Sequence, residues 1–311
     1  MKAYVAFVMA LAVVCCSPKK EMTEAEKKAY QEEIDQWHVA RLDKVKAPNG
    51  WLNLVGLHWL EPGINTFGSD AGNNIVFPAG KIAAQAGYFM VEGNVVTLFA
   101  NDDAAIQQGG HPVKKEIVYH PDSARAPVLE RGSLRWSIIR RESKLGIRLR
   151  DDDADLVHSF KGVDRFPVDP QYRVEAILEP ADSANQVNIT NVLGQTYQRP
   201  SPGVLVFTLD GVEQRLTPIL EGDDEELFII FADATSSKET YGGGRFLYAK
   251  RPGADGKVIL DFNKAYNPPC VFTPYATCPL PPGQNVLPIA IHAGEKNYEY
   301  AGGKTAMTSL H

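Results

Sequence analysis

The sequence predicts a mainly β protein: an N-terminal helix, then a β-sandwich, then a second β domain of sandwich or barrel-like form. Three observations carry that expectation. From Trp51 onward, short apolar or alternating runs recur between Gly, Asn, Asp and Pro, as in "NNIVFP", "SLRWSIIRR", "KLGIRLR", "GVLVFTLDG" and "KVILDF". This is the spacing of an all-β fold, not of βαβ units. Ahead of these runs, "MTEAEKKAYQEEIDQWHVARLDKV" is the one convincing helical stretch. Between two groups of strands, "RDDDADLVHSFKGVDRFPVDP" is polar and rich in turn formers, which marks a domain boundary. A chain of 311 residues, 44% hydrophobic and 23% charged, suits one large or two modest domains.

Residues 1–16 read as a lipoprotein signal peptide. A single basic residue, Lys2, precedes an apolar run over 3–14 that is too short to span a bilayer. The run ends at Cys15-Cys16, which resembles a bacterial lipobox, and Cys16 is the expected site of lipidation. An ordinary cleaved signal is the alternative. Residues 17–22 form a tether, and "SPKKE" resembles the export tag of Bacteroidetes lipoproteins. The expectation is a protein of the cell envelope, lipid-anchored at the outer membrane and touching membrane only through its anchor.

The helix is expected over 23–46. Thr23 and Glu26 form a capping box, Tyr30, Ile34 and Trp37 share one face, and Pro48-Asn49-Gly50 stops it. The N-terminal β-sandwich is placed at 50–150 and the C-terminal β domain at 165–300. Within the latter, a Pro- and Cys-bearing loop over 262–285 separates the strands "KVILD" and "VLPIAIH". A net charge of −6, with Lys and Arg scattered along the chain, gives no footprint for nucleic acid.

Two stretches resemble known families. "GINTFGSDAGNNIVFPAGKIAAQAGYFMVEGNVVTL" resembles the opening of a forkhead-associated domain, a β-sandwich that binds phosphothreonine. Ser69 stands where that family places its phosphate-gripping Arg, and "KIAAQAGY" lacks the Ser and His that follow. Phosphopeptide binding is therefore not expected. Across nearly the whole mature chain, "GWLNLVGLHWLEPG", "FPVDPQYRVEA", "SPGVLVFTLDG", "TYGGGRFLYAKRP" and "VILDFNKAYNPPCVFTPYATCPLPPGQNVLPIAIHAGEK" resemble the domain of unknown function 1684 family. That resemblance implies kinship and no activity.

Candidate chemistry concentrates near the C-terminus. In "YNPPCVFTPYATCPLPP", over 266–282, the prolines and aromatic residues predict an ordered lid against the second domain. Four readings of Cys270 and Cys278 stand: a local disulfide, two inert buried thiols, a catalytic cysteine with His292 as base and Asp261 as orienter, or a metal site. In "TYGGGRF", three glycines turn backbone N–H groups toward an anion and Arg245 supplies a bidentate grip; the alternative is a tight turn. "DFNKAYN" adds polar groups just past a strand end. The expected ligand-binding set is Tyr241, Arg245, Asp261, Asn263, Tyr266, Asn267 and Tyr275, forming a C-terminal pocket for a small polar or anionic ligand. No cofactor or metal is expected. The rival readings are an envelope hydrolase or transferase with a cysteine nucleophile, and a non-catalytic interaction protein.

Overall fold

Thr23 closes the predicted capping box. Its Oγ1 accepts from the Glu26 amide at 3.3 Å and its own amide donates to Glu26 Oε2 at 2.7 Å. Helix α1 (Glu24–Lys46) follows, and its cap residue Ala47 precedes Pro48. The computed structural model describes residues 22–181, 185–221 and 225–298. The expected signal peptide, Cys16 and most of the tether lie outside them.

The first β domain is built from β1 (Leu54–Trp59), β2 (Gly63–Gly68), β3 (Ile75–Val76), β4 (Gly87–Glu92), β5 (Val95–Ala100), β6 (Gln107–Gln108), β7 (His111–Pro112), β8 (Lys115–Tyr119), β9 (Leu129–Arg131), β10 (Leu134–Arg141) and β11 (Lys144–Asp151). Two sheets form, in the orders β1-β11-β10-β9-β6-β7 and β3-β2-β4-β5-β8. Their inner faces share one apolar core, in which Phe67, Phe77, Phe89 and Trp136 make mutual ring contacts. The β10–β11 hairpin shows how the sequence chooses its faces. Leu134, Trp136 and Ile138, with Leu145, Ile147 and Leu149, turn into this core. Every intervening residue then points the other way. Arg135 stands opposite Arg150, Ser137 opposite Arg148, and Arg141 opposite Lys144. The outer face of this hairpin thus carries a line of cations, interrupted by Ser137 and by the Ile139–Gly146 pair.

Beyond α2 (Asp155–Ser159) lies the second β domain. Its strands are β12 (Arg173–Pro180), β13 (Gln186–Thr190), β14 (Thr196–Pro200), β15 (Gly203–Leu209), β16 (Val212–Leu216), β17 (Glu226–Phe231), β18 (Arg245–Lys250) and β19 (Lys257–Asp261). They pair as an open sheet, β16-β15-β12-β19, and two hairpins, β13-β14 and β17-β18. No barrel closes among the described residues. The apolar run "ELFIIF" becomes β17, which is covered on both faces. Leu227, Ile229 and Phe231 join one core, and Phe228 and Ile230 join another.

The second of these cores holds together parts distant in sequence. It packs Val45 of α1 and Phe160 after α2 against Cys270, Val271, Phe272 and Cys278 of the proline loop. Helix α1 is also tied down by Tyr30 Oη donating to Asp261 Oδ1 at 2.7 Å and by a 2.6 Å ion pair from Lys264 to Glu33. The helix therefore docks on the second domain, although the first domain follows it in sequence.

One strand expectation needs correction. "VLPIAIH" forms no ladder; it makes only an isolated bridge at Val286 to Ala232. Pro288 has no amide proton to offer a partner strand. Carbonyls downstream are already engaged, since those of Ile291 and Ala293 accept from Arg245.

Candidate functional site

The proline loop spans both domains. It is compacted by short 3₁₀ turns at Phe262–Lys264, Pro269–Val271 and Gly283–Asn285. A disulfide joins Cys270 to Cys278, whose Cα atoms stand 6.1 Å apart. Among the four readings of this pair, the bonded form leaves no thiolate to act as nucleophile or metal ligand. His292 stands elsewhere, 3.1 Å from Glu239 Oε1. Two hydrogen bonds reach the first domain: Thr273 Oγ1 donates to the Leu54 carbonyl at 2.8 Å, and Arg141 Nε donates to Thr277 Oγ1 at 3.3 Å. The expected lid is in fact a strut between domains.

Beside this strut, a cleft of about 1240 Å³ opens between α1, the cationic face of β10–β11 and the second domain. Its lining holds eleven basic side chains. Arg41, Lys44, Arg140, Arg141 and Arg148 come from the helix and the first domain, and Arg173, Arg199, Lys250, Arg251, Lys257 and Lys264 from the second. Five carboxylates accompany them: Glu33, Glu142, Glu221, Glu226 and Asp261. In a chain of net charge −6, this is a concentrated positive field.

Several of these cations lie on aromatic rings. The Arg41 guanidinium is 4.5 Å from the Tyr266 ring centre, Arg199 is 4.4 Å from that of Tyr197, and Arg148 and Arg150 stand 6.0 and 5.9 Å from that of Trp51. Arg150 is satisfied by the Gly50 carbonyl and by Asn53 Oδ1. Arg148 is not. Its Nε is buried without a hydrogen-bond partner, and no carboxylate among the described residues pairs with it. Burial, together with the like charges of Arg141 and Arg150, pulls its pKa down to about 10.

The structure divides the predicted ligand-binding set. Asp261 and Tyr266 line the cleft, as does Cys278. Arg245 does not. It is 1% exposed, forms a 2.5 Å ion pair with Asp233, and donates to the Ile291 and Ala293 carbonyls. Its guanidinium is used up internally. The glycines before it serve packing: a Cβ on Gly244, at φ +82°, would meet Pro281 Cγ at 2.4 Å and the Phe231 carbonyl oxygen at 2.5 Å. Tyr241 is buried in the core, where desolvation pushes its phenol up to about 12. Asn263 bonds Tyr30 Oη and both main-chain polar atoms of Asp169, and Asn267 bonds Glu295 and the Lys296 carbonyl. Tyr275 is exposed outside the cleft lining. Of the expected C-terminal set, then, two members line an inter-domain cleft and the others lie outside its lining.

Asp261 is the least comfortable carboxylate in the cleft wall. Oδ1 accepts from Tyr30 Oη and from the Asn263 amide, but Oδ2 is buried without a hydrogen bond. Burial holds its pKa above the ordinary carboxylate range. The native state therefore keeps this proton to a higher pH than the unfolded chain does. Stability falls as pH rises from the ordinary range, about 4, through the raised value. Asp261→Asn retains an acceptor for Tyr30. It is expected to be more stable than wild type at pH 7 and to lose that advantage near pH 4, as read from urea midpoints at the two pH values.

The arginine stripe had a signal in the sequence. In "LRWSIIRRESKLGIRLR", cations and apolar residues take opposite phases of a two-residue period over 134–138 and 144–150, with Ile139 and Arg140 out of phase between them. Counting Lys and Arg as scattered missed it, because the strand pleat collects alternate residues on one face.

Comparison with known proteins gives kinship without chemistry. The model of a family described as protein of unknown function (DUF1684) matches residues 158–296. An uncharacterized protein of Haloarcula marismortui, solved by solution NMR, is 34% identical over 45% of this chain and 78% of that one, with a TM-score of 0.38. No curated protein matches the chain.

Proposed function

The chain belongs to the DUF1684 family, proteins of unknown function, and we propose that this member binds an anionic ligand in the cleft between its two β domains. The observation that carries the reading is Arg148. A largely desolvated guanidinium beside two other arginines, with no carboxylate partner among the described residues, is a costly arrangement. An anionic group at Arg141 and Arg148 would relieve the repulsion and supply the missing acceptors.

Pyrophosphate serves as a compact probe. Arg148→Met keeps much of the side-chain volume and removes the charge. Binding of pyrophosphate, followed by isothermal titration, is expected to weaken about tenfold or more, the worth of one charge-assisted hydrogen bond. Without ligand, the variant is expected to be as stable as wild type or more so. If Arg148→Met leaves pyrophosphate affinity unchanged, or if it unfolds the domain, Arg148 is a structural residue and the reading fails.

We also propose a location, resting on residues 1–16. Cys16 at the end of the apolar run supports lipidation and anchorage in the cell envelope at the outer membrane, with the cleft held beyond a short tether. Labelled palmitate is expected to enter the wild-type chain and not Cys16→Ala. Equal labelling of both would exclude Cys16.

A further inference from the structure

Four features of the cleft bear on what kind of anion it would take. It is large, at about 1240 Å³ against roughly 300–1,000 Å³ for common small-molecule sites. Its cations are distributed over both walls. Arg141 and Arg148 lie on the first domain, while Arg173, on β12, faces it from the second. A single small anion would engage one wall and leave the other unneutralised.

The aromatic rings narrow the choice further. In a groove for single-stranded nucleic acid, open aromatic faces stack the bases. Here guanidinium groups already stand over Tyr266, Tyr197 and Trp51. These three rings act as supports for arginines and each has one face taken, while Trp37 packs near Tyr266, 6.4 Å between ring centres. Tyr248, 37% exposed, has Phe228 stacked on one side, 4.8 Å between ring centres.

The carboxylates exclude a different ligand. A chain of uninterrupted charge, such as polyphosphate, would meet Glu142, Glu221 and Glu226 as repulsive neighbours. A ligand that alternates anionic groups with hydroxyls would use both kinds of side chain: arginines for its acids, and for its alcohols Glu142, Glu226, and the remaining lone pairs of Glu221, which already accepts from Tyr248 Oη. Sugar acids linked in a short chain have that chemistry.

Building on the anion-binding reading above, we infer that the ligand is an acidic oligosaccharide, a run of several uronic acid-type units lying across the cleft and contacting both domains. Each end meets a different cationic wall, so affinity grows with chain length. Arg141 and Arg148 take a carboxylate at the first-domain end, and Arg173 takes one at the second-domain end.

The experiment compares oligogalacturonate of about four units with galacturonate monomer, tripolyphosphate and an oligothymidylate of similar charge, titrated into the wild-type protein at two salt concentrations. The oligogalacturonate is expected to bind at least about tenfold more tightly than the monomer. Its affinity should fall more steeply with salt, since more ion pairs form. Arg148→Met and Arg173→Gln should each weaken the oligomer about tenfold while shifting the monomer less. Equal affinity for monomer and oligomer would overturn the inference and leave a simple anion site. Tighter binding of tripolyphosphate or oligothymidylate would overturn it in favour of a polyphosphate or nucleic-acid groove. No binding of any anion, pyrophosphate included, would remove the anion-binding reading itself.

Discussion

Arg245→Ala is expected to destabilise the protein by about 3–5 kcal/mol, the cost of removing one partner from a fully buried ion pair. The pair is enclosed on all sides: the side chains of Arg245 and Asp233 are 1% and 0% exposed. Removal strands Asp233, which would keep only local partners such as the Thr235 amide and hydroxyl. It also frees the carbonyls of Ile291 and Ala293, in a segment with no ladder of its own. Equilibrium urea unfolding measures the loss. A loss below about 1 kcal/mol would show that water replaces the guanidinium and that the network is not structural. Arg245→Lys restores charge but not the fork that reaches three acceptors, so it is expected to recover only part of the stability.

Reducing the Cys270–Cys278 disulfide is expected to cost about 2–3 kcal/mol, the loop-closure entropy of a cross-link of this span. The separation is eight residues. The consequence reaches further than the loop. Thr273 and Thr277, within or beside the closed segment, make the two hydrogen bonds to the first domain. Loosening them releases one wall of the cleft, so anion affinity should fall along with the thermal midpoint. Cys270→Ser with Cys278→Ser, compared with wild type in the presence and absence of reductant, separates the cross-link from side effects of the reagent. An unchanged midpoint on reduction would show that the buried apolar contacts alone hold the loop.

What was legible in the sequence was local. The capping box at Thr23, the alternating strands and the enclosed proline loop all follow from spacing and residue type over a few positions. "TYGGGRF" shows the limit of such reading. Glycines followed by arginine suit an anion site or a tight turn equally well, and only Asp233, on another strand end, decides that Arg245 faces inward. The cleft was illegible for a related reason. Its walls come from α1, β11, β12 and the proline loop, which are far apart in the chain. Arg148 and Asp261 become informative only when their neighbours are known, because their oddity is one buried atom each, Nε and Oδ2, left without a hydrogen bond. Of the first candidate site residues, Asp261, Tyr266 and Cys278 line the cleft; Asp261 ends β19 and Tyr266 follows it closely.

The docking of α1 sets a timetable. Tyr30 meets Asp261 and Asn263, partners separated from it by 231 and 233 positions. At synthesis rates of roughly 5–20 residues per second, the helix emerges some ten to fifty seconds before the strand end it packs on. In that interval the first domain, whose strands all fall between Leu54 and Asp151, can complete its own core. The helix has no such option. Tyr30 lacks its partners Asp261 and Asn263 until the last strand, β19, is made. A short stall or truncation before residue 261 would therefore leave a finished sandwich attached to an unpartnered helix, a species open to capture by chaperones or proteases.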